Sequence, residues 1–66
     1  MRNLQAEMKR KDISIAEIQK ILKCSEKTVR NKINEKTEFS IFEAFAIKEK
    51  LFPECKIEYL FSKDNL

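Results

Sequence analysis

The sequence contains no histidine and no glycine, and each absence excludes classes of function. Histidine is the commonest general base and the commonest metal ligand, so its absence argues against an enzyme and against a metal site. Without glycine the chain has no glycine-rich loop of the kind that binds phosphates or dinucleotides. The sequence therefore predicts a binding protein that has no cofactor, no metal and no small-molecule ligand.

Cysteine is scarce, and long apolar runs are missing. Cys24 and Cys55 are too few for a zinc site or a disulfide framework, and we expect both to be small buried side chains. No apolar run is long enough to span a bilayer, and the N-terminus has no secretory signal pattern. We expect a protein of the reducing bacterial cytoplasm that does not contact a membrane.

The chain has 66 residues, of which 42% are apolar, and we assign residues 1–66 to one small domain. At about 1.5 kcal/mol per residue, ordering such a chain costs on the order of 100 kcal/mol, so its net stability is slim. A domain of this size is too small for a two-layer enzyme with a deep cleft that excludes water.

Charge is distributed unevenly along the chain, although the formal net charge is only +3. Residues 1–36 contain ten Lys and Arg against five Asp and Glu, whereas residues 37–66 contain four against six. A basic N-terminal half is typical of proteins with a polyanionic partner. A solvated basic face without a function has the same composition. The position of the charges within a motif must therefore decide between a polyanionic partner and a face without a function.

The single proline and the lack of strand-like alternation predict an all-α fold of four to five short helices. Serines at positions 14, 25 and 40 are N-cap candidates. Glu17 and Glu43 each follow a serine by three residues, which predicts capping boxes at the first and third of these caps. The predicted helices cover residues 2–11, 15–22, 26–34 and 41–52, with a last helical turn at 57–61.

The predicted fourth helix has more apolar surface than one face needs. We expect Ile41, Phe45 and Phe52 to form its core stripe, with Ala44 between them, which leaves Phe42 outside. An exposed aromatic surface commonly marks a partner site, and Phe42, Phe52 and Phe61 are our candidates for a twofold contact. The alternative is that all five phenylalanines belong to the core.

The predicted second and third helices are separated only by Lys23-Cys24-Ser25, which indicates a helix-turn-helix. The stretch ISIAEIQKILKCSEKTVRNKIN, from Ile13 to Asn34, resembles the helix-turn-helix of the phage Cro/repressor family of DNA-binding domains. The matching positions are Ser14, Glu17, Ile18, Leu22, Ser25, Thr28, Val29 and Asn34. The resemblance implies a lambda-repressor-like domain that binds double-stranded DNA and represses transcription by occupying an operator.

Three positions depart from the pattern of this family. Gln19 stands where a small residue is usual, and Lys23 and Glu35 stand where glycine is common. A residue other than glycine in a left-handed conformation costs roughly 1 kcal/mol. The hydrophobic pattern of the motif is intact, so we expect the fold to be kept.

The outward face of the predicted third helix carries polar side chains suited to base pairs. At about 100° per residue, Val29 and Ile33 define the buried direction, and Asn31 points almost directly away from it. The major groove of DNA admits one helix, in which Lys suits guanine and Asn suits adenine. The exposed face carries Lys27, Thr28, Arg30, Asn31 and Asn34.

The family resemblance implies roles for nine residues. We expect base reading by Glu26, Lys27, Thr28 and Asn31, and contacts to the DNA backbone by Ser14, Arg30, Lys32, Asn34 and Lys36. Glu26 can accept a hydrogen bond from cytosine N4. Alternatively, its negative charge only stabilises the N-terminus of the helix through the helix dipole. Arg2 and the basic run 9–11 can contact phosphates. Alternatively, the positive charges of the run stabilise the C-terminal end of its helix by interacting with the helix dipole.

Our preferred interpretation is a transcriptional regulator that binds a palindromic operator as a weak homodimer. The alternative is a protein-interaction module, such as an antitoxin or a phage-encoded inhibitor, which needs the apolar surface of the fourth helix. An RNA-binding module is disfavoured because no aromatic platform lies among the basic residues. An enzyme is the weakest interpretation.

Overall fold

The computed structural model describes residues 1–62, which form five α-helices and no strand. The helices are α1 (Arg2–Arg10), α2 (Ile15–Leu22), α3 (Glu26–Ile33), α4 (Ile41–Leu51) and α5 (Ile57–Leu60). The predicted all-α class is confirmed, and each helix ends within one residue of its predicted boundary. No helix among the described residues is both long and apolar enough to cross a membrane.

Serine side chains cap α3 and α4. The Ser25 hydroxyl accepts the backbone N–H of Thr28 at 3.2 Å. At the start of α4, the Ser40 hydroxyl accepts the N–H of Glu43 at 3.1 Å, and the Glu43 carboxylate accepts the N–H of Ser40 at 2.8 Å. This reciprocal pair is the predicted capping box, and it fixes where α4 begins.

The capping box predicted for α2 is not formed, so that prediction is wrong. Ser14 is the N-cap residue, but its side chain makes no capping hydrogen bond. The backbone N–H of Glu17 donates instead to the Ser14 carbonyl at 3.1 Å. Because this backbone bond already satisfies the donor, the Ser14 hydroxyl is left exposed at the start of the helix.

Among residues 1–62, three residues adopt a left-handed conformation although none of them is glycine. They are Asp12 and Lys23, both at φ 57°, and Glu35 at φ 64°. The Lys23 N–H closes α2 by donating to the Gln19 carbonyl at 2.7 Å, and the Glu35 N–H donates to the Lys32 carbonyl at 3.1 Å. Lys23 and Glu35 thus adopt the left-handed conformation at the two positions where the family commonly has glycine, each at a cost of roughly 1 kcal/mol.

The core draws on all five helices. Helix α2 packs against α3 and α4, and α5 packs against α1 and α4. Val29 and Ile33 are buried, which confirms the predicted inward direction of α3. The buried apolar residues are Leu4, Met8, Ile18, Val29, Ile33, Ala44, Ile47, Phe52 and Leu60.

The core stripe predicted for α4 is wrong at Ile41 and Phe45, although its other members, Ala44 and Phe52, are buried. Ile41 is 64% exposed and Phe45 is 46% exposed, whereas Ala44 and Ile47 face the core. Phe52 is fully buried but stands just beyond the helix, at φ −134°. By the helical period, Ile41 and Phe45 alone point in the same direction as Phe52, so the error arises because α4 is apolar on more than one face and its period does not decide which face is inward. Because Phe52 lies in the core, it is also withdrawn from the proposed twofold contact.

A polar cluster around Glu7 joins α5 to α1. The Glu7 carboxylate accepts hydrogen bonds from Arg10 Nε at 2.7 Å and from the Tyr59 hydroxyl at 3.0 Å. The bond from Arg10 holds the pKa of Glu7 below its usual range. The Cys55 thiol donates to the same carboxylate at 3.7 Å, and burial raises the pKa of this thiol. Both Cys55 and Cys24 are free and half-buried, less buried than we expected.

Candidate nucleic-acid interface

The outward surface of α3 forms a shallow groove of about 470 Å³. Helix α3 is fixed below this groove by the Ser25 cap and by the buried side chains of Val29 and Ile33. The residues that line it are all predicted DNA contacts, namely Glu26, Lys27, Arg30, Asn31, Asn34 and Lys36. The structure thus brings together six of the nine residues expected to meet DNA.

The chain after α3 folds back and places Lys36 beside the helix. The Asn31 carbonyl accepts the backbone N–H groups of Lys36 at 2.8 Å and of Thr37 at 3.3 Å. The left-handed conformation of Glu35 allows this reversal immediately after the helix. As a result the Lys36 side chain lines the same groove as Asn31, although it lies outside α3.

Asn31 and Lys27 offer unused hydrogen-bonding groups in the groove. The Asn31 side chain is half-buried and makes no hydrogen bond to any residue in 1–62. Lys27 is exposed and has no ion-pair partner within the same residues. An asparagine amide offers a donor and an acceptor together, the pattern that matches the N6 and N7 edge of adenine.

Glu26 and Arg30 form an ion pair along one flank of the groove. Both Nε and Nη2 of Arg30 lie 2.7 Å from Oε2 of Glu26, and both side chains are more than half exposed. An exposed pair at this spacing contributes only about 0.3–0.5 kcal/mol to stability. Its consequence is geometric, because the Glu26 carboxylate is turned toward a neighbouring cation.

Lys32 faces away from the groove, which departs from our expectation of a phosphate contact. Its ammonium donates to the Glu38 carbonyl at 3.0 Å and to the Glu43 carboxylate at 3.1 Å, and its side chain is only 14% exposed. Burial raises the pKa of Glu43, but the hydrogen bonds from Ser40 and Lys32 outweigh burial and lower it. Lys32 therefore ties α3 to the cap of α4, and we withdraw it from the interface.

Thr28 and Ser14 also lie outside the groove. The Thr28 hydroxyl is 3.0 Å from the Ser25 hydroxyl, so it belongs to the cap of α3. The Ser14 hydroxyl is exposed at the start of α2 and has no hydrogen-bond partner in residues 1–62. The structure therefore leaves Ser14 accessible to a phosphate and gives Thr28 a structural role.

Arg10 and Lys11, two of the three residues in the basic run 9–11, form ion pairs within the protein at the C-terminal end of α1. Arg10 pairs with Glu54 at 3.2 Å in addition to its bond with Glu7. The Lys11 ammonium lies 2.8 Å from the Leu51 carbonyl and 3.0 Å from the Glu54 carboxylate. These contacts hold α1 against the segment that follows α4, so neither residue contributes a free cation to the interface.

Lys9 lies on the side of α1 that borders α3. It lines a second groove, of about 290 Å³, which shares Arg30 and Asn34 with the first. Gln5, one turn earlier on α1, lines the same groove, and it is not among the residues predicted from the sequence. The spacing of Gln5 and Lys9, beside the buried Leu4 and Met8, was the available signal. The candidate interface therefore extends from α3 onto α1.

A separate apolar surface lies on α4. Phe42 is 83% exposed, and it stands beside the exposed Ile41 and Phe45. Ile41 and Phe45 also line a groove of about 430 Å³ whose floor includes Phe39 and Phe61. Phe61 is half-buried, with its ring 5.2 Å from that of Phe39 in an edge-on arrangement. Of the residues predicted for a twofold contact, Phe42 alone is fully accessible.

Comparisons with known proteins do not identify a family. No family model, no curated protein and no solved structure matches the chain. Among residues 1–62, no group of three or more Cys, Asp and Glu side chains is placed to hold a metal ion. Function must therefore be inferred from the placement of the side chains themselves.

Proposed function

We propose that the protein binds double-stranded DNA in a sequence-dependent manner and regulates transcription by occupying an operator. The observation that carries this proposal is the groove on α3, where Lys27, Arg30 and Lys36 surround the amides of Asn31 and Asn34. The major groove is wide enough for one helix, and cationic and amide side chains are those that read base edges there.

Electrostatics supports the same proposal. The groove contains three cations and one carboxylate, and that carboxylate is already paired with Arg30. Lys9 lines the adjoining groove toward α1, and the Ser14 hydroxyl is exposed at the start of α2, so both are available to phosphates in this proposal. Each phosphate that a cation neutralises releases counterions, so affinity must fall as the salt concentration rises.

The size of α3 supports binding as a dimer. Its eight residues span about 12 Å, so one copy reaches only a few base pairs. That is too little to discriminate an operator from the competing sites of a genome. We propose a weak twofold dimer that contacts itself through Phe42 and reads two half-sites about 34 Å apart. The family resemblance implies a phage-type repressor of a bacterial cytoplasm.

Selection of bound sequences from random duplex DNA tests the proposal. We expect enrichment of one imperfect palindrome, and a log–log slope of affinity against salt of about −0.9 for each phosphate contacted. No enrichment, together with an affinity that does not respond to salt, would contradict DNA binding.

A second candidate function is supported by the apolar surface on α4. The exposed side chains of Ile41, Phe42 and Phe45 are what a protein-interaction module requires, and such a module does not need the polar groove on α3. The two functions differ in which surface is essential. Substitution of Asn31 leaves a protein-interaction module active, whereas substitution of Phe42 inactivates it.

A further inference from the structure

We propose that Arg30 reads a guanine in the major groove and that Glu26 positions it. This inference rests on the proposed function, because it assigns a base to a side chain of the α3 groove. It replaces the phosphate contact that we expected for Arg30, and it makes Glu26 a positioning residue rather than a base reader.

The ion pair with Glu26 leaves the end of the Arg30 guanidinium free to bind a base. A guanidinium has five N–H donors in a rigid planar fork. Nε and Nη2 both lie 2.7 Å from Glu26 Oε2, so the carboxylate occupies the side of the fork. The end of the fork, formed by Nη1 and the second N–H of Nη2, keeps two parallel donors. Two such donors match the O6 and N7 acceptors of guanine.

Two interactions stabilise the position of the Glu26 carboxylate. It lies in the first turn of α3, where a negative charge is favoured by the helix dipole, and it stands four residues before Arg30, one helical turn away. Arg30 itself lines both the α3 groove and the groove toward α1. The carboxylate thus fixes the plane of a guanidinium that lies at the centre of the candidate interface.

The charge of Glu26 decides between guanine and phosphate. A phosphate on the free end of the Arg30 fork lies close to the Glu26 carboxylate, and the two anions repel each other. A guanine presents neutral acceptors and avoids this repulsion. A lone exposed arginine is suited to either partner, whereas an arginine paired on its side with a carboxylate is better suited to a base.

Base analogues test the assignment. We would take the duplex that the protein selects and replace each guanine in turn by 7-deazaguanine, which lacks N7, or by inosine, which keeps O6 and N7. For one guanine per half-site we expect 7-deazaguanine to weaken binding about tenfold, and inosine to have little effect. Arg30→Ala and Glu26→Ala should both lose this sensitivity. Glu49→Ala, an exposed carboxylate on α4, is the matched control and should keep it.

Each outcome separates this inference from the proposed function. If the unaltered protein selects no sequence, both fall together. If it selects a sequence but no guanine is sensitive, or if the sensitivity survives in Arg30→Ala, only the guanine assignment is overturned. If Arg30→Ala loses the sensitivity and Glu26→Ala keeps it, Arg30 reads the base without Glu26. Circular dichroism of each variant establishes that it remains folded.

Discussion

Replacement of Lys23 by glycine measures the strain in the turn between α2 and α3. Lys23 adopts φ 57° and ψ 48°, and its side chain is exposed with no hydrogen-bond or ion-pair partner in residues 1–62, so the substitution removes no polar interaction. A left-handed residue with a Cβ costs about 1–2 kcal/mol, and glycine loses about 0.5–1 kcal/mol more backbone entropy on folding. The difference between these two costs centres on about 0.5–1 kcal/mol, and we expect Lys23→Gly to raise the free energy of unfolding by that amount.

Thermal and urea denaturation followed by circular dichroism measure this change. For a domain of this size, the expected gain corresponds to a rise in Tm of about 2–8 °C. Ala6→Gly is the control, because Ala6 is exposed within α1 and its φ is helical. That substitution should lower stability by about 1 kcal/mol. If Lys23→Gly is also destabilising, our explanation of the turn is wrong.

The remaining predictions concern the groove, the dimer and acid stability. Asn31→Ala should cost about 1–3 kcal/mol on the selected site and relax the choice of one base pair, measured by fluorescence anisotropy; equal losses on specific and random DNA would contradict base reading. Phe42→Lys should reduce cooperative occupancy of a palindromic site while the monomer stays folded; sedimentation showing one unaltered protein per selected site would overturn the dimer. The pKa of Glu7 is lowered in the folded state by Arg10, so its stabilising effect is present above the ordinary value of 4.5 and is lost as the pH falls through the lowered value. Glu7→Gln should flatten the fall in Tm between neutral pH and acid, and an unchanged pH profile would contradict this role for the cluster.

The helices were predictable because their boundary signals are local. Ser25 and Ser40 cap the helices that follow them, and Pro53 stands two residues after Leu51, the last residue of α4. The inward face of α3 was predictable for the same reason, since Val29 and Ile33 lie within one regular helix. The error on α4 arose because this helix has apolar side chains on more than one face, so periodicity favoured the exposed Ile41 and Phe45 over the buried Ile47.

The candidate interface was predictable only where α3 alone determines it. Lys27, Arg30 and Asn31 share a face because they share a helix. The position of Lys32 depends on the Glu43 carboxylate of another helix, and the sequence contains no local signal for that contact. In the basic run 9–11, Arg10 and Lys11 are paired within residues 1–62 and Lys9 is not, and this difference likewise depends on Glu54, 43 residues beyond Lys11. Such long-range pairs follow from tertiary packing and not from periodicity.

The most direct test of DNA binding by α3 is a titration of the ¹⁵N-labelled protein with duplex DNA, followed by amide chemical shifts. If the groove on α3 is the interface, the largest changes will fall on residues 26–36, with smaller changes at Gln5 and Lys9. The amides of Phe42 and Phe45 should respond only when the DNA carries two half-sites. Changes confined to the apolar surface of α4, or no change at saturating DNA and low salt, would contradict the proposal.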